Sequence, residues 1–597
     1  MKKIKTLCDV IVAMRARGEG IAVQFKSEGE WQSYSWSKYY SEIERTALGL
    51  KEIGLKSGDK VGIFSNTRLE WAQADYAALG IGAVVVPIYQ TATAEDLEII
   101  LNDSQCKVLL VENRSALRVF KTVQSRCPSI EKVVLIQGDS EDASDFLILW
   151  SQLLQKGSER LSRSTEEFSE SCAQAQVQDT ATIIYTSGTT GRPKGVVLTH
   201  VQCVSEIIDS FHYLGVTAND NSLTFLPYGH ILGRVEHWGQ SYIGFTMAFA
   251  ESIEKLRQNL QEIKPTILMA VPRIFEKIYT MIWSQAESNF VALRAFRWGV
   301  AIGLKAGDRR MNHESLPLSL LIPYEMAQKT IFSKVREAFG GRVRFAVSGG
   351  APLSKDIALF FHAAGLLILE GYGLTETTAA ITVNAPFDYK FGTVGKPFGD
   401  TQIKIAQDGE ILIKSQKVMK EYYNDPQATN SALEGGWFHT GDIGEILSSG
   451  HLMITDRKKD LIKTAGGKYV APQKLEGLLK KYPLISNVLI HGDQKKFIVA
   501  LFTLDPGQLK LWARDHKDKT LSEKSYAELT QDSKVLEAVR LLVADVNKQL
   551  ASFETIKRFS ILPQEFTVEN GELTPSLKVK RKFLDQKYKS QIEHLYG

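Results

Sequence analysis

Between Ile183 and His200 the chain reads IIYTSGTTGRPKGVVLTH. Gly188, Gly191 and Gly195 let the backbone approach a ligand closely, because glycine reaches conformations closed to other residues. Thr186, Ser187, Thr189 and Thr190 add hydroxyl donors, and Lys194 adds a mobile positive charge. Amides, hydroxyls and one lysine on a glycine-rich loop make a cradle for a polyphosphate. The string is not the common phosphate loop, in which Gly-Lys-Ser/Thr opens a helix. Lys194 stands between Pro193 and Gly195, and the β-branched runs on either side read as strands.

Further along, other segments carry groups suited to a nucleotide. VRFAVSGGAPLS (343–354) reads as a strand and a tight turn, where the small Gly349, Gly350 and Ala351 let a flat base lie against the backbone. LLILEGYGLTETT (366–378) reads as a strand ending in a glycine-flanked loop at Gly373. There Tyr372 offers a ring to a purine, Thr375 a hydroxyl to a phosphate, and Glu376 a hard oxygen to magnesium, which takes one or two carboxylates plus phosphate oxygens. In GWFHTGDIGEI (436–446), Asp442 is expected in a turn before a strand, where a carboxylate can accept both hydroxyls of a ribose or serve only as a local cap. LTFLPYGHILGR (223–234) carries His230 and Arg234, with Trp238 just beyond. For Trp238, a wall of an acid pocket and ordinary packing explain the residue equally well.

Taken in order, these segments resemble the motifs of the adenylate-forming superfamily of acyl-CoA synthetases, luciferases and adenylation domains. ILMAVPRIFEKIY (267–279) and LTPSLKVKR (573–581) resemble its long-chain fatty acyl-CoA synthetases. The likeness extends over nearly the whole chain. It implies ATP-dependent activation of a fatty acid to acyl-AMP, then transfer to coenzyme A, with Mg2+ as cofactor. The roles it implies are magnesium on Glu376 and the Thr186 hydroxyl, ribose on Asp442 and Arg457, and Lys463 and Lys468 near the phosphate or adenylate. It further implies Lys578 as the adenylation lysine, His230 at the acyl-pocket entrance, Lys459 as a hinge, and a Gly466–Gly467 loop passing the pantetheine. Many relatives have Gly before the terminal lysine where this chain has Leu577. The rivals are a fatty acyl-AMP ligase that loads a carrier protein and a non-catalytic acyl- or nucleotide-binding relative. Retention of Lys194, Glu376, Asp442, Arg457 and Lys578 argues against the second.

The elements that must position these groups alternate. KVGIFS (60–65), VVVPIY (84–89), KVLLVEN (107–113) and VVLIQG (133–138) are strand-like and separated by helical stretches such as EWAQADYAALGIG, which indicates parallel sheet covered by helices. Residues 155–180 are polar and expected to be an exposed connection. The expected fold is α/β: a large N-terminal domain of stacked α/β sheets with subdomains over 1–455, a hinge at 456–459, and a small mobile C-terminal α/β domain over 460–597. A chain of 597 residues is long enough for more than one domain. Its net charge of +4 is too small to argue for nucleic acid, and five scattered cysteines without a CxxC pair argue against a disulfide framework or zinc site. No apolar run reaches the ~20 residues of a membrane span. The expected location is the cytoplasm. Aromatic and basic residues interleave over 280–340, and contact with the inner face of a membrane is weighed there against an ordinary solvated helical hairpin, which is favoured. A homodimer is expected only by analogy.

Overall fold

The computed structural model describes residues 4–186, 193–287, 289–312, 314–516, 519–567, 570–573 and 579–597. Its architecture is mixed α/β, with a large N-terminal and a smaller C-terminal domain. The largest sheet has eight strands, in the order Glu421–Tyr422, Lys194–Thr199, Thr180–Thr186, Val84–Ile88, Lys60–Phe64, Cys106–Val111, Lys132–Leu135 and Leu147–Leu149. From Thr180–Thr186 to Leu147–Leu149 neighbouring strands run parallel. These strands are Val-, Ile- and Leu-rich and buried on both faces, as helix-covered parallel strands must be. The strands Thr180–Thr186 and Lys194–Thr199 pair antiparallel, with Thr186 opposite Lys194.

A second sheet places Ile267–Ala270, Phe345–Ser348 and Ile368–Leu374 side by side in parallel, then turns antiparallel through Ala379–Val383 and Lys396–Pro397. A third joins Asn221–Thr224, Thr246–Phe249, Ile21–Ser27 and Glu30–Ser35, and a fourth is an antiparallel run of Gln402–Ile405, Glu410–Lys414, Phe438–Ile446 and Leu452–Arg457. The apolar cluster shared by these sheets reaches Leu452, with Ile454 packed against it. A separate cluster begins at Ile462 and fills the space between the three-stranded sheet Ile485–His491, Ile498–Leu504, Ile556–Ile561 and its helices. The C-terminal part therefore has a core of its own.

Two expectations are corrected. Residues 155–180 are largely exposed, but they are not a plain connection: they include most of the helix Trp150–Leu161 and all of Glu167–Gln174, with Phe168 and Cys172 buried. Polar neighbours hid the i, i+4 apolar pair that ties the second helix down. Asp442 does not sit in a turn before a strand but inside Phe438–Ile446. Glu410 pairs with Ile443 and Leu412 with His439, so Thr440, Gly441 and Asp442 together oppose Ile411. That is a bulge, which bends the strand and re-aims its side chains; Gly441 takes φ +69° there.

Candidate active site

The parallel pairing of Phe345–Ser348 with Ile368–Leu374 sets Ser348 opposite Glu370. The turn at Gly349, Gly350 and Ala351 thus leaves one strand beside Gly371 and Tyr372 of the next. Tyr372 is buried, and its hydroxyl donates to Asp442 Oδ2 at 2.7 Å. Burial, reinforced by the Asp442 charge, pushes the Tyr372 hydroxyl well above its ordinary range, so it remains a donor. Asp442 Oδ1 faces Arg457 Nε at 3.2 Å, and the two residues are opposite each other in register across the neighbouring strand. A cavity of about 270 Å³ opens here, lined by Thr440, Gly441, Asp442, Arg457, Lys458 and Lys459. Burial and the nearby Arg457 charge lower Lys459, and the charge of Lys582, next after the LTPSLKVKR string, also reaches it. A carboxylate fixed by a tyrosine and an arginine on a cavity wall is suited to accept paired hydroxyls.

A second group forms around the start of the strand Lys194–Thr199. Lys194 opens the strand Lys194–Thr199, lies 3.4 Å from Asp425 and sits 5.2 Å above the ring of Tyr422. The Tyr422 hydroxyl donates to Glu376 Oε1 at 2.8 Å, and Met419 N–H donates to the Glu376 carbonyl at 2.7 Å. Glu376 lies in the single turn Thr375–Thr377, after which Thr378 and Ala379 take φ +56° and +80°. Gly373 is required where the chain folds back on itself, since a Cβ there would lie 1.4 Å from the Ala379 carbonyl oxygen. No group of three or more acidic, histidine or cysteine side chains could hold a metal among the described residues. A lone carboxylate beside a phosphate hairpin fits magnesium that arrives with its nucleotide and keeps phosphate and water ligands.

The remaining sequence candidates scatter. His230 caps the helix Ile231–Ile243, its Nδ1 accepting from Leu232 N–H at 3.2 Å, and Leu232 packs against Gly349. Trp238, on the same helix, is fully buried; its indole donates to Asp75 at 2.8 Å beneath the Arg234 guanidinium, which also bonds Asp75. Core packing accounts for it. Lys463 and Lys468 belong to a small C-terminal hairpin, with Lys463 over Tyr469. Ser187, Gly188, Thr189, Thr190, Gly191 and Lys578 lie outside the described residues.

Tyr422, Asp425 and Thr440 escaped the sequence reading. Only Thr440 had a local signal, as part of the Thr-Gly-Asp string. Tyr422 reaches the site by pairing with Val196, more than two hundred residues earlier. A further cavity of about 220 Å³ lies beyond the carboxyl ends of Lys60–Phe64, Val84–Ile88 and Cys106–Val111. The chain crosses from one side of the first of these strands to the other there, which is where ligands of open α/β sheets gather.

A family model described as AMP-binding enzyme matches residues 12–423, and one described as AMP-binding enzyme C-terminal domain matches 459–597. Long-chain-fatty-acid–CoA ligase FadD15 of Mycobacterium tuberculosis is 38% identical over 574 residues, covering 96% of this chain and 93% of that protein. In fold, the adenylation domain of a carboxylate reductase from Mycobacterium chelonae superposes with a TM-score of 0.76 at 22% identity, covering 100% of this chain and 92% of that one. O-succinylbenzoate coenzyme A synthetase of Bacillus subtilis, solved with ATP and magnesium ion, gives 0.66 at 21% identity, covering 96% and 99%.

Proposed function

We propose, from the premise that this chain belongs to the AMP-binding enzyme family, that it is an ATP-dependent long-chain fatty acid–CoA ligase. One observation carries the reading. The short stretch Tyr372–Glu376 bonds the ribose-type carboxylate Asp442 at one end and reaches the phosphate hairpin through Tyr422 at the other. A nucleoside triphosphate laid along it would have its sugar and its phosphates where matching groups already stand.

In the first half-reaction a fatty carboxylate oxygen bonds to the α-phosphorus of ATP, and the bond to the β-phosphate oxygen breaks, releasing pyrophosphate. Carboxylate oxygen is a poor leaving group and AMP a good one, so the protein's task is to align two anions and offset their charge. Tyr372, Asp442 and Arg457 hold the nucleoside. Lys194 and the loop hydroxyls hold the phosphates, and Lys578 contributes its charge at the reacting centre. Glu376 and the Thr186 hydroxyl would hold the magnesium, which when bound would supply further positive charge to the triphosphate. In the second half-reaction the thiol of coenzyme A bonds to the acyl carbon and AMP leaves. The C-terminal domain turns about 456–459 between halves, withdrawing Lys578 and presenting the Gly466–Gly467 loop, a gating use of domain motion.

Purified protein with ATP, palmitate and coenzyme A is expected to yield thioester and AMP. Pyrophosphate release without thioester would favour a carrier-protein acceptor, and absence of ATP–pyrophosphate exchange with every fatty acid would overturn the reading. Lys578→Ala should abolish acyl-adenylate formation yet leave conversion of supplied acyl-AMP to thioester largely intact; equal loss in both rejects the division of labour. No described helix is long and apolar enough to cross a membrane. The helices Phe290–Met311 and Leu318–Ala327 nonetheless expose Phe290, Val291, Trp298, Leu318, Ile322 and Met326 beside Arg294 and Arg297. That surface supports a peripheral anionic-bilayer contact, which absence of vesicle flotation at physiological salt would sink.

A further inference from the structure

The Tyr422 side chain touches both Glu376, assigned to the metal, and Lys194, assigned to the phosphates. Its hydroxyl donates to Glu376 at 2.8 Å, and Lys194 rests on its ring. The strand that carries it pairs with the phosphate-loop strand, with Tyr422 opposite Val196, and Lys420 N–H and Tyr423 N–H donate to Val197 and Gly195 at 3.0 and 2.7 Å. The segment is also anchored from beneath. Lys417 is fully buried, 3.3 Å from Asp209 and 3.7 Å from Glu206 on the helix His200–Tyr213. Gln202 of that helix donates to the Val418 carbonyl, and Glu206 accepts Ala380 N–H just past the Glu376 turn. The helix begins where the phosphate-loop strand ends, and its polar stripe of Gln202, Glu206 and Asp209 binds both the Tyr422 segment and the Glu376 turn. Tyr422 is thus held in register with both groups by backbone it does not itself supply.

We propose that Tyr422 is a positioning residue that aims the Glu376 carboxylate at the metal of bound ATP, coupling the phosphate loop to the metal site. This rests on the ligase reading and on Glu376 as the magnesium residue. The phenol hydroxyl is the donor and the carboxylate the acceptor in that 2.8 Å contact. It fixes one carboxylate oxygen; among the described residues the other accepts no hydrogen bond. Lys194 is shared between Asp425 and the Tyr422 ring, from which bound phosphates would have to draw it.

Tyr422→Phe removes the hydroxyl and keeps the ring, so Lys194 and the fold are left in place. Binding of Mn2+, followed by electron paramagnetic resonance on the full chain with α,β-methylene ATP, should weaken about tenfold, the scale of losing one hydrogen bond to a charged group. The Mg2+ concentration for half-maximal ATP–pyrophosphate exchange should rise by a similar factor, while thioester formation from supplied acyl-AMP stays within about twofold. Unchanged Mn2+ binding and an unchanged Mg2+ midpoint overturn the proposal. So does an equal loss in both half-reactions with a lowered melting temperature, which marks a purely structural tyrosine. If the wild-type chain catalyses no exchange, the ligase reading fails, but the Mn2+ comparison still tests the positioning.

Discussion

Tyr372 and Arg457 both converge on Asp442, which makes it the side chain whose loss best tests the proposed nucleoside end. Asp442→Ala removes the acceptor for both and is expected to lower kcat/KM for ATP on the order of 100-fold, two charge-assisted hydrogen bonds being at stake. Tyr372→Phe keeps the ring and loses one bond, so its effect should be about tenfold or less; ATP–pyrophosphate exchange under varied ATP measures both. An Asp442→Ala chain with a near-normal ATP response would remove this carboxylate from the site. At this scale the sequence named residues that the fold brings together, Tyr372 and Arg457 against Asp442. Asp442, Glu376, Tyr372 and Lys194 each stand in a short string whose residue types state their chemistry. Tyr422 was not readable, since an aromatic in EYYND says nothing until the strand beside it is known. Trp238 gave no decisive signal either: an indole on an apolar helix looks the same whether it lines a cavity or, as here, donates to a buried aspartate.

At the level of elements, the fold-back at Gly373 is the tightest constraint in the site. The strand Ile368–Leu374 returns as Ala379–Val383 through a turn in which two non-glycine residues have positive φ. Gly373→Ala places a methyl group inside the Ala379 carbonyl oxygen, and either the turn or the strand must move. The expected cost is at the top of the ~1–3 kcal/mol typical of overpacking, read as a lowered melting temperature together with weakened Mg2+-dependent exchange. A stable variant with unchanged exchange would mean that the turn adjusts freely. The proposed hinge gives a second test. Lys459 lies between strand and C-terminal core, and proline there fixes φ near −65°. Lys459→Pro should slow thioester formation more than adenylation, and equal slowing in separate assays would count against a rotation about this residue. Alternating apolar strands and amphipathic helices made the parallel sheet legible. The Thr440–Asp442 bulge was not, because a bulge is set by what the partner strand pairs with, and Glu410 and Leu412 lie about thirty residues away.

Across the whole molecule, several carboxyl groups are buried at a cost that depends on pH. Burial pushes Glu236 up to about 8, opposed only by the hydroxyls of Thr224 and Ser222. Burial likewise raises Glu206 to about 8 against the Lys417 charge, Glu370 to about 7 and Asp456 to about 6. Each binds its proton more tightly in the folded chain than in the unfolded one. Their stabilisation is therefore complete below the ordinary carboxylate range and is lost as pH rises through the folded values. Buried histidines work in the opposite sense: His200 and His362 are lowered to about 4 by burial, so the folded chain gains stability as pH rises from about 4 to 6.5 and nothing more above that. Between pH 6.5 and about 8.5 the carboxyls Glu206, Glu236 and Glu370 decide the slope, and the melting temperature is expected to fall. Glu236 is the clean probe, since it is fully buried and outside the nucleotide site. Glu236→Gln keeps the shape and cannot ionise, so its melting temperature should change visibly less between pH 7 and pH 8.5 than that of the wild type. A melting temperature that is flat or rising over this interval, or a Glu236→Gln slope as steep as the wild type's, would show that the carboxyl has reached water or found a cationic partner in solution.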